Sequence, residues 1–505
     1  EENGHKDALK KATATDSVVE TKDSYGNVTR TTTSSDYKVI LGQAKVDTVT
    51  TKTEINNVDG SHTISSDGGW SSQPSVVCYT YNKRTGVLTG ADEAQPEVVL
   101  MGDGFGNVTR TETIRTYTVI NGQPKVTTVT THTEIDNLDG SQTISRHKGW
   151  SSQASVVEYS YDAIGRPIGA EEVQPEVILM GDGFRNVTRT ETGRTYTIIE
   201  GQPKVTTLAT RTEIDNVDGS HTIFSDEGWS SQASIVHYSY DGVGRLVGAK
   251  EVQPEVMLMG DGFGNVTRTE TGRTYTIING QAKVITITTH TAIDNFDGSQ
   301  TLSSQRGWNS QPSIVRYTYD GKGLLTGAEE VQPEIILMDD GYGNVTRTET
   351  RKTYTIINGQ SRVATVTTNT EIDNLDGSHT IAGYEGWNSQ PGLVQYTYNG
   401  KGRLTGATEV QPEVVLMYDG YGNVTRTETR RTYRIISGQA KVSTVTTTIE
   451  INNLDGSHTV SGYGGWSSQP STVQYAYDGR GRLTEAREVR PEVILMDDGY
   501  GNVTR

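Results

Sequence analysis

The chain has 505 residues, with 45 Lys and Arg against 62 Asp and Glu, a formal net charge of −17 and 32% hydrophobic residues. That acidity speaks against a nucleic-acid groove, which needs clustered cations to displace counterions from phosphates. The single cysteine, Cys78, excludes an intrachain disulfide, and no run approaches the 18 or so apolar residues of a membrane span.

A mean hydropathy of −0.55 leans toward disorder. Regularly placed Tyr, Trp, Val and Ile argue instead for a thin-cored β structure, in which each strand buries one row of side chains and shows Thr, Gln or Ser to water. One cysteine suits the cytosol, and equally a surface protein that holds together without disulfides. The sequence opens on Glu1 without a leader, which leaves export open.

In chain order, residues 1–16 match nothing that follows; Asp7 to Ala14 is read as a helical turn or two within a tail or docking arm. From Ser17 a unit sets in that is used six times. Tyr159, Tyr238, Tyr317, Tyr396 and Tyr475 stand 79 residues apart, each opening a strand, glycine turn and strand, and a looser copy starts at Tyr79. The expected units are 17–96, 97–175, 176–254, 255–333, 334–412 and 413–491. Residues 492–505 start a seventh, so that GNVTR stands near both ends. The expectation is that the native chain continues past Arg505 or that its last hairpin completes a neighbouring subunit.

Within one unit, Asp103 to Asn107 is a turn leading into a Thr-rich strand. Asn121-Gly122 is a hairpin turn whose equivalents, such as Leu41-Gly42 and Glu200-Gly201, keep only the glycine; that pattern predicts a turn closed by one left-handed glycine rather than a type I′ pair. Lys125 to Ile135 is β-branched at most positions and reads as a strand. A loop at Asp136 to Ser141, a short strand, a break at Gly149 to Gln153 and an alternating strand from Ser155 follow. Gln174-Pro175 ends the unit, with proline at a strand start or edge. No window has helical periodicity, so the fold class is all-β: an elongated tandem-repeat architecture, wrapped or solenoid-like.

The motif Y-x-Y-D-x-x-G-R-L, complete at Tyr238 and Tyr475, resembles the YD repeats of Rhs and teneurin proteins, and Tyr418 to Thr425 looks like a variant with GN for GR. Its turn residues are Asp162, Gly165 and Arg166, then Asp241, Gly244 and Arg245, then Asp478, Gly481 and Arg482. The resemblance covers about 25 residues of each unit. It implies a spiralling or tubular β-sheet and an extracellular or cell-surface setting. Family repeats are irregular and about 20 residues apart, these are near-identical and 79 apart, and no toxin or protease-like domain is visible, so encapsulation is not carried over.

Three residue sets invite a functional reading beside a structural one. Asp136, Asn137 and Asp139 offer hard oxygens for calcium, as do Asp497 and Asp498, but Ile135 breaks EF-hand spacing; turn residues are the preferred reading and no cofactor is expected. Trp70, Trp150, Trp229, Trp308, Trp387 and Trp466, each before a Ser/Asn-Ser-Gln run, would stack on sugar rings or pack a core or unit interface, the latter being preferred. Asn27, Asn107, Asn186, Asn265, Asn344, Asn423 and Asn502 each stand in N-V-T, a glycosylation sequon and equally a turn asparagine. No catalytic residues are assigned: His62, His221, His379 and His458 give way to Gln142 and Gln300 at the same position, and no nucleophile, phosphate loop or metal pattern is present. The expected function is a structural subunit of an extracellular filament built by head-to-tail packing of the chain on itself. A multivalent adhesin contacting surface glycans is the alternative, and a fragment of an Rhs-like shell the second.

Overall fold

A computed structural model describes residues 9, 11–23, 26–226, 228–479 and 481–505. Among them there are fifty strands and no helix. The first unit holds β1 (Ser17–Lys22), β2 (Val28–Ile40), β3 (Gln43–Asn56), β4 (His62–Ile64), β5 (Ser66–Asp67), β6 (Trp70–Ser71), β7 (Ser75–Tyr81) and β8 (Leu88–Gln95), and the second opens with β9 (Glu97–Gly102) and β10 (Val108–Ile120).

All pairings are antiparallel. β1 pairs with β2 and β2 with β3. The end of β3 meets β4 at Asn56–His62, while its middle, Thr48 to Thr51, pairs with β7. β7 pairs with β8, β4 with β9, and β9 with β10. β4 and β7 are therefore two segments of one row beside β3. The next row is formed by β8 and β9, broken only by Pro96; proline has no N–H for the ladder, so it falls at the joint between two segments. At the joint between the second and third units the same row also bridges to the long strand beyond it, at Glu171–Thr195. Each unit thus adds four rows to one continuous antiparallel sheet, about 19 Å of ribbon at the usual strand spacing.

The two longest strands need no help from helix-breaking residues: β-branched Thr, Val and Ile fit a pleated surface. Each such pair carries a bulge at the same place, Asp36/Tyr37 in the first unit and Thr116/Tyr117 in the second, which adds twist to the ribbon.

The hairpin turn departs from expectation. Both central residues have positive φ, 51° and 74° at Asn121 and Gly122, and likewise 51° at Leu41 and 48° at Glu200. Ile120 pairs directly with Gln123. A two-residue loop at that register needs a primed turn to match strand twist, so even Leu and Glu are held in the left-handed region. The expected helical turn near the N-terminus falls partly outside the described residues; within them, Thr13 bridges Asp36 in antiparallel fashion.

The core is a string of small clusters. In the first, Val98, Leu100 and Val108 are buried, with Ile64 and Trp70 packed on them. The β5–β6 ribbon folds back over this face, so a one-layer sheet acquires a second layer only where the tryptophan lies. The same arrangement recurs around Leu179, Leu258, Leu337 and Leu416, each 0% exposed. Trp70 belongs to the first unit and Val98 to the second, so the hydrophobic contact is also the joint between units.

The opposite face is polar and tightly packed. Ser155 and Val157 are buried and Tyr159 and Tyr161 half-buried, alternating with exposed Glu158 and Ser160. Arg115 lies 3.2 Å from Glu93 and 2.9 Å from Glu97. Arg194 and Arg273 repeat this fork with Glu172 and Glu176 and with Glu251 and Glu255. Burial, followed by the Glu93 carboxylate, pushes the Tyr117 phenol up to about 12.

Candidate functional site

Because every unit contributes an even number of rows, each kind of turn always falls on the same long rim of the ribbon. The first rim carries the Asp103 to Asn107 turn and the Asn137 to Ser141 loop. The second carries Asn121-Gly122 and the Asp162 to Arg166 turn.

The two Asp-led turns share one lock. Asp162 Oδ1 accepts the N–H groups of Ile164 and Arg166 at 3.1 and 2.8 Å, and its Oδ2 accepts from Arg166 Nε at 2.7 Å. Gly165 closes the turn at φ +82°. Asp241 with Arg245, and Asp478 with Arg482, repeat it, with Gly244 and Gly481 also at positive φ. On the first rim Asn replaces Arg: Asp182 Oδ1 accepts from Phe184 and Asn186 N–H groups, and Asn186 Nδ2 donates to Asp182 Oδ2 at 2.6 Å. The hydrogen bonds from the Arg166 N–H and side chain hold the Asp162 carboxyl below its usual range.

The sequon asparagines therefore have a structural task. Asn107 donates to Asp103 and accepts the Leu138 N–H at 2.9 Å, tying the two turns of its rim together. Asn27, Asn186, Asn265, Asn344 and Asn423 do the same toward Val58, Val217, Phe296, Leu375 and Leu454, and Asn502 donates to Asp498 at 2.6 Å. In the loop read for calcium, Asp139 Oδ1 accepts from the Ser141 N–H and hydroxyl, and Asn137 donates to the Ser141 hydroxyl. The Asp497 and Asp498 carboxylates accept N–H groups of Gly499 and Tyr500.

The tryptophans sit at the unit joints. Trp150, Trp229, Trp308 and Trp387 each pack on the next unit's Val/Ile–Leu–Val cluster, and each remains part-exposed; Trp466 is 47% exposed. The tips of their ribbons reach further than the sequence indicated. His147 and Lys148 pair with Asp215 of the next unit, at 2.5 and 2.9 Å. Arg306 pairs with Asp373 at 2.8 Å and also donates to the Gly343 carbonyl. Where the target is Asn452 instead of Asp, the tip residue is Glu385, which accepts its amide at 2.8 Å.

A seam joins units three apart. Arg362 Nη2 lies 2.9 Å from Asp139 Oδ2, 223 residues away. Arg403 donates to the Asp139 carbonyl across 264 residues and lies over the Phe184 ring at 5.7 Å. One unit further along, Lys441 stands 3.5 Å from Asp218. A Cβ placed on Gly359 would lie 3.0 Å from Phe105, and one on Gly438 2.8 Å from Phe184. The first rim of units two and three thus lies against the second rim of units five and six: the ribbon coils and touches itself after roughly 12 rows, about 58 Å of sheet. Arg166, Arg245 and Arg482 are held by their own turn aspartates, whereas Arg403 faces Asn399. Without that carboxylate it is free to cross the seam.

Burial raises the Asp139 and Asp218 carboxyls, but the Ser141 and Ser220 hydrogen bonds and the cations Arg362 and Lys441 outweigh it, leaving both below the usual carboxylate range.

Fold and rims together define the class: an all-β tandem-repeat ribbon of antiparallel rows that coils onto itself. No family model and no curated protein matches the chain. Among solved structures it is similar to the crystal structure of TcdB2-TccC3, at 9% identity over 92% of this chain and 35% of that one, with a TM-score of 0.11. The same complex without its hypervariable C-terminal region gives 9% identity, 93% and 35% coverage and a TM-score of 0.09. The chain spans about a third of the length of either, and scores this low supply no residue correspondence. No helix among the described residues is long and apolar enough to cross a membrane.

Proposed function

We propose that this chain is structural: a stretch of wall in a coiled β-sheet tube, stiffened by joints between successive units and by a seam between successive turns. The observation that carries this is the seam itself, in which Asp139 meets Arg362 and Asp218 meets Lys441 with the same spacing of 223 residues. An extended string of units would bring none of these pairs together. The face bearing the buried Ser155, Val157 and Glu97 has no second layer of strands over it among the described residues.

The wall reading takes no catalytic residues, because the polar clusters repeat as packing elements in unit after unit. It favours a scaffold over a row of sugar sites, because each tryptophan from Trp70 to Trp387 has one side against the neighbouring unit. A filament is the form such a wall takes when it is long. An extracellular or cell-surface location rests on the YD resemblance alone.

Zero-length carbodiimide coupling of the native protein tests the coil. The Asp218–Lys441 peptide pair is expected alongside the Lys148–Asp215 pair, whose 2.9 Å ion pair is an internal control. Recovery of the control without the seam pair, in dilute protein, refutes the coil.

A further inference from the structure

The seam is satisfied for units two and three and open for those that follow. Phe105 and Phe184 are part-buried against the glycines of the opposite rim. Their equivalents Phe263, Tyr342 and Tyr421 are 82%, 80% and 79% exposed. Beside them the loop residues Phe296, Leu375 and Leu454, equivalent to Leu138, are 83%, 71% and 75% exposed. An exposed apolar row of this regularity on a soluble face marks an interaction site.

Its charges are arranged like those of the seam already made. Asp297, Asp376 and Asp455 occupy the position of Asp139 and Asp218; each accepts the N–H and hydroxyl of the serine two residues on, and none pairs with a cation across a seam. The complementary surface exists on the same chain. On the second rim of units one to three, Lys45, Lys125 and Lys204 stand where Arg362 and Lys441 stand in units five and six, and a Cβ on Gly42, Gly122 or Gly201 would meet nothing within 4 Å.

We propose that the free first rim of units four to six binds the free second rim of units one to three of a second copy of this chain, continuing the coil from one molecule into the next. The seam's register sets the pairs: Asp297, Asp376 and Asp455 of one copy face Lys45, Lys125 and Lys204 of the other, and each exposed aromatic seats on a turn glycine. Continuity with the intramolecular seam is what selects this partner, since both rims are already shown to fit. The proposal rests on the wall reading.

The test mixes copies grown in light and heavy nitrogen, couples them with carbodiimide at low salt, and reads the peptide pairs by mass. Mixed-isotope Asp376–Lys125 and Asp455–Lys204 pairs are expected, together with sedimentation of species larger than the monomer. The triple variant Asp297→Lys, Asp376→Lys, Asp455→Lys should abolish both, and a partner carrying Lys45→Asp, Lys125→Asp and Lys204→Asp should restore them. Loss of Asp218–Lys441 coupling would overturn the wall reading as well. Retention of that pair with only same-isotope products, or with a rim that captures some other protein and never a second copy, overturns copy-to-copy stacking alone.

Discussion

Leu337→Ala is the sharpest probe of how the ribbon is held. Leu337 is 0% exposed, enclosed by Ile335, Val345, Leu302 and Trp308. Truncation removes three carbons, about 2.4 kcal/mol of transfer energy at ~0.8 per buried methylene, and an unfilled cavity carries such changes toward about 5 kcal/mol. Trp308 is carried on a two-strand ribbon with one side open, so the site can partly collapse, and about 3 kcal/mol is the expected cost. In an array coupled only to nearest neighbours that loss stays local. Hydrogen exchange should therefore speed up by roughly 150-fold at the amides of Gln300–Leu302 and Glu334–Asp339, while those around Leu100 keep their protection. A change below about 1 kcal/mol, or an equal loss of protection in all six units, would refute both the core assignment and the nearest-neighbour picture.

Acid should open the seam before it melts the sheet. With the carboxyls of Asp139 and Asp218 depressed in the folded state, their contribution is complete above the unfolded value of about 3.9 and is lost as pH falls through the folded values; small-angle scattering should show the coil loosening below about pH 4 with far-UV dichroism retained. At the alkaline end, Tyr117, Tyr196 and Tyr275, held up to about 12 by burial and then by Glu93, Glu172 and Glu251, stabilise the fold fully below about 10 and cease to as pH climbs through 12. Ultraviolet titration should find these three phenols ionising well above the ordinary phenol value of about 10. Gly438→Ala should cost more than Gly122→Ala: both positions have φ near +74°, a strain of about 1–2 kcal/mol for alanine, but only Gly438 has a ring 2.8 Å from the added carbon. Asn399→Asp should draw Arg403 back onto its own turn and reduce protection at Gly140, with Arg166, already held by Asp162, as the reference.

Much of the architecture could be read before any coordinates. The 79-residue period, the all-β class and each Asp-led turn follow from local chemistry, because a turn needs only a carboxylate, a glycine and one donor within five residues. The double left-handed hairpin was hidden by Leu41 and Glu200, residues that disfavour positive φ in isolation and are overruled by the Ile–Gln register. The inter-unit staple had a faint signal, in that Lys148 and Arg306 sit 67 residues before an aspartate and Glu385 the same distance before Asn452. The seam had almost none: Asp139 and Arg403 are joined by curvature accumulated over 264 residues, and no local pattern encodes an angle. The one hint was Asn399, standing where Asp162, Asp241 and Asp478 each precede an arginine by four residues, which leaves Arg403 without its usual partner.

An even number of rows per unit makes the ribbon behave like a screw thread. Every added unit advances the coil by the same rotation and presents the same two flanks, one acidic and aromatic, the other basic and glycine-bearing. Tandem duplication would therefore lengthen the wall without altering its bore, whereas insertion of a single hairpin would shift all later flanks out of phase. Such a thread also restrains divergence of its units, for each residue on a flank must suit a sequence neighbour and, one turn away, a unit more than two hundred residues along the chain.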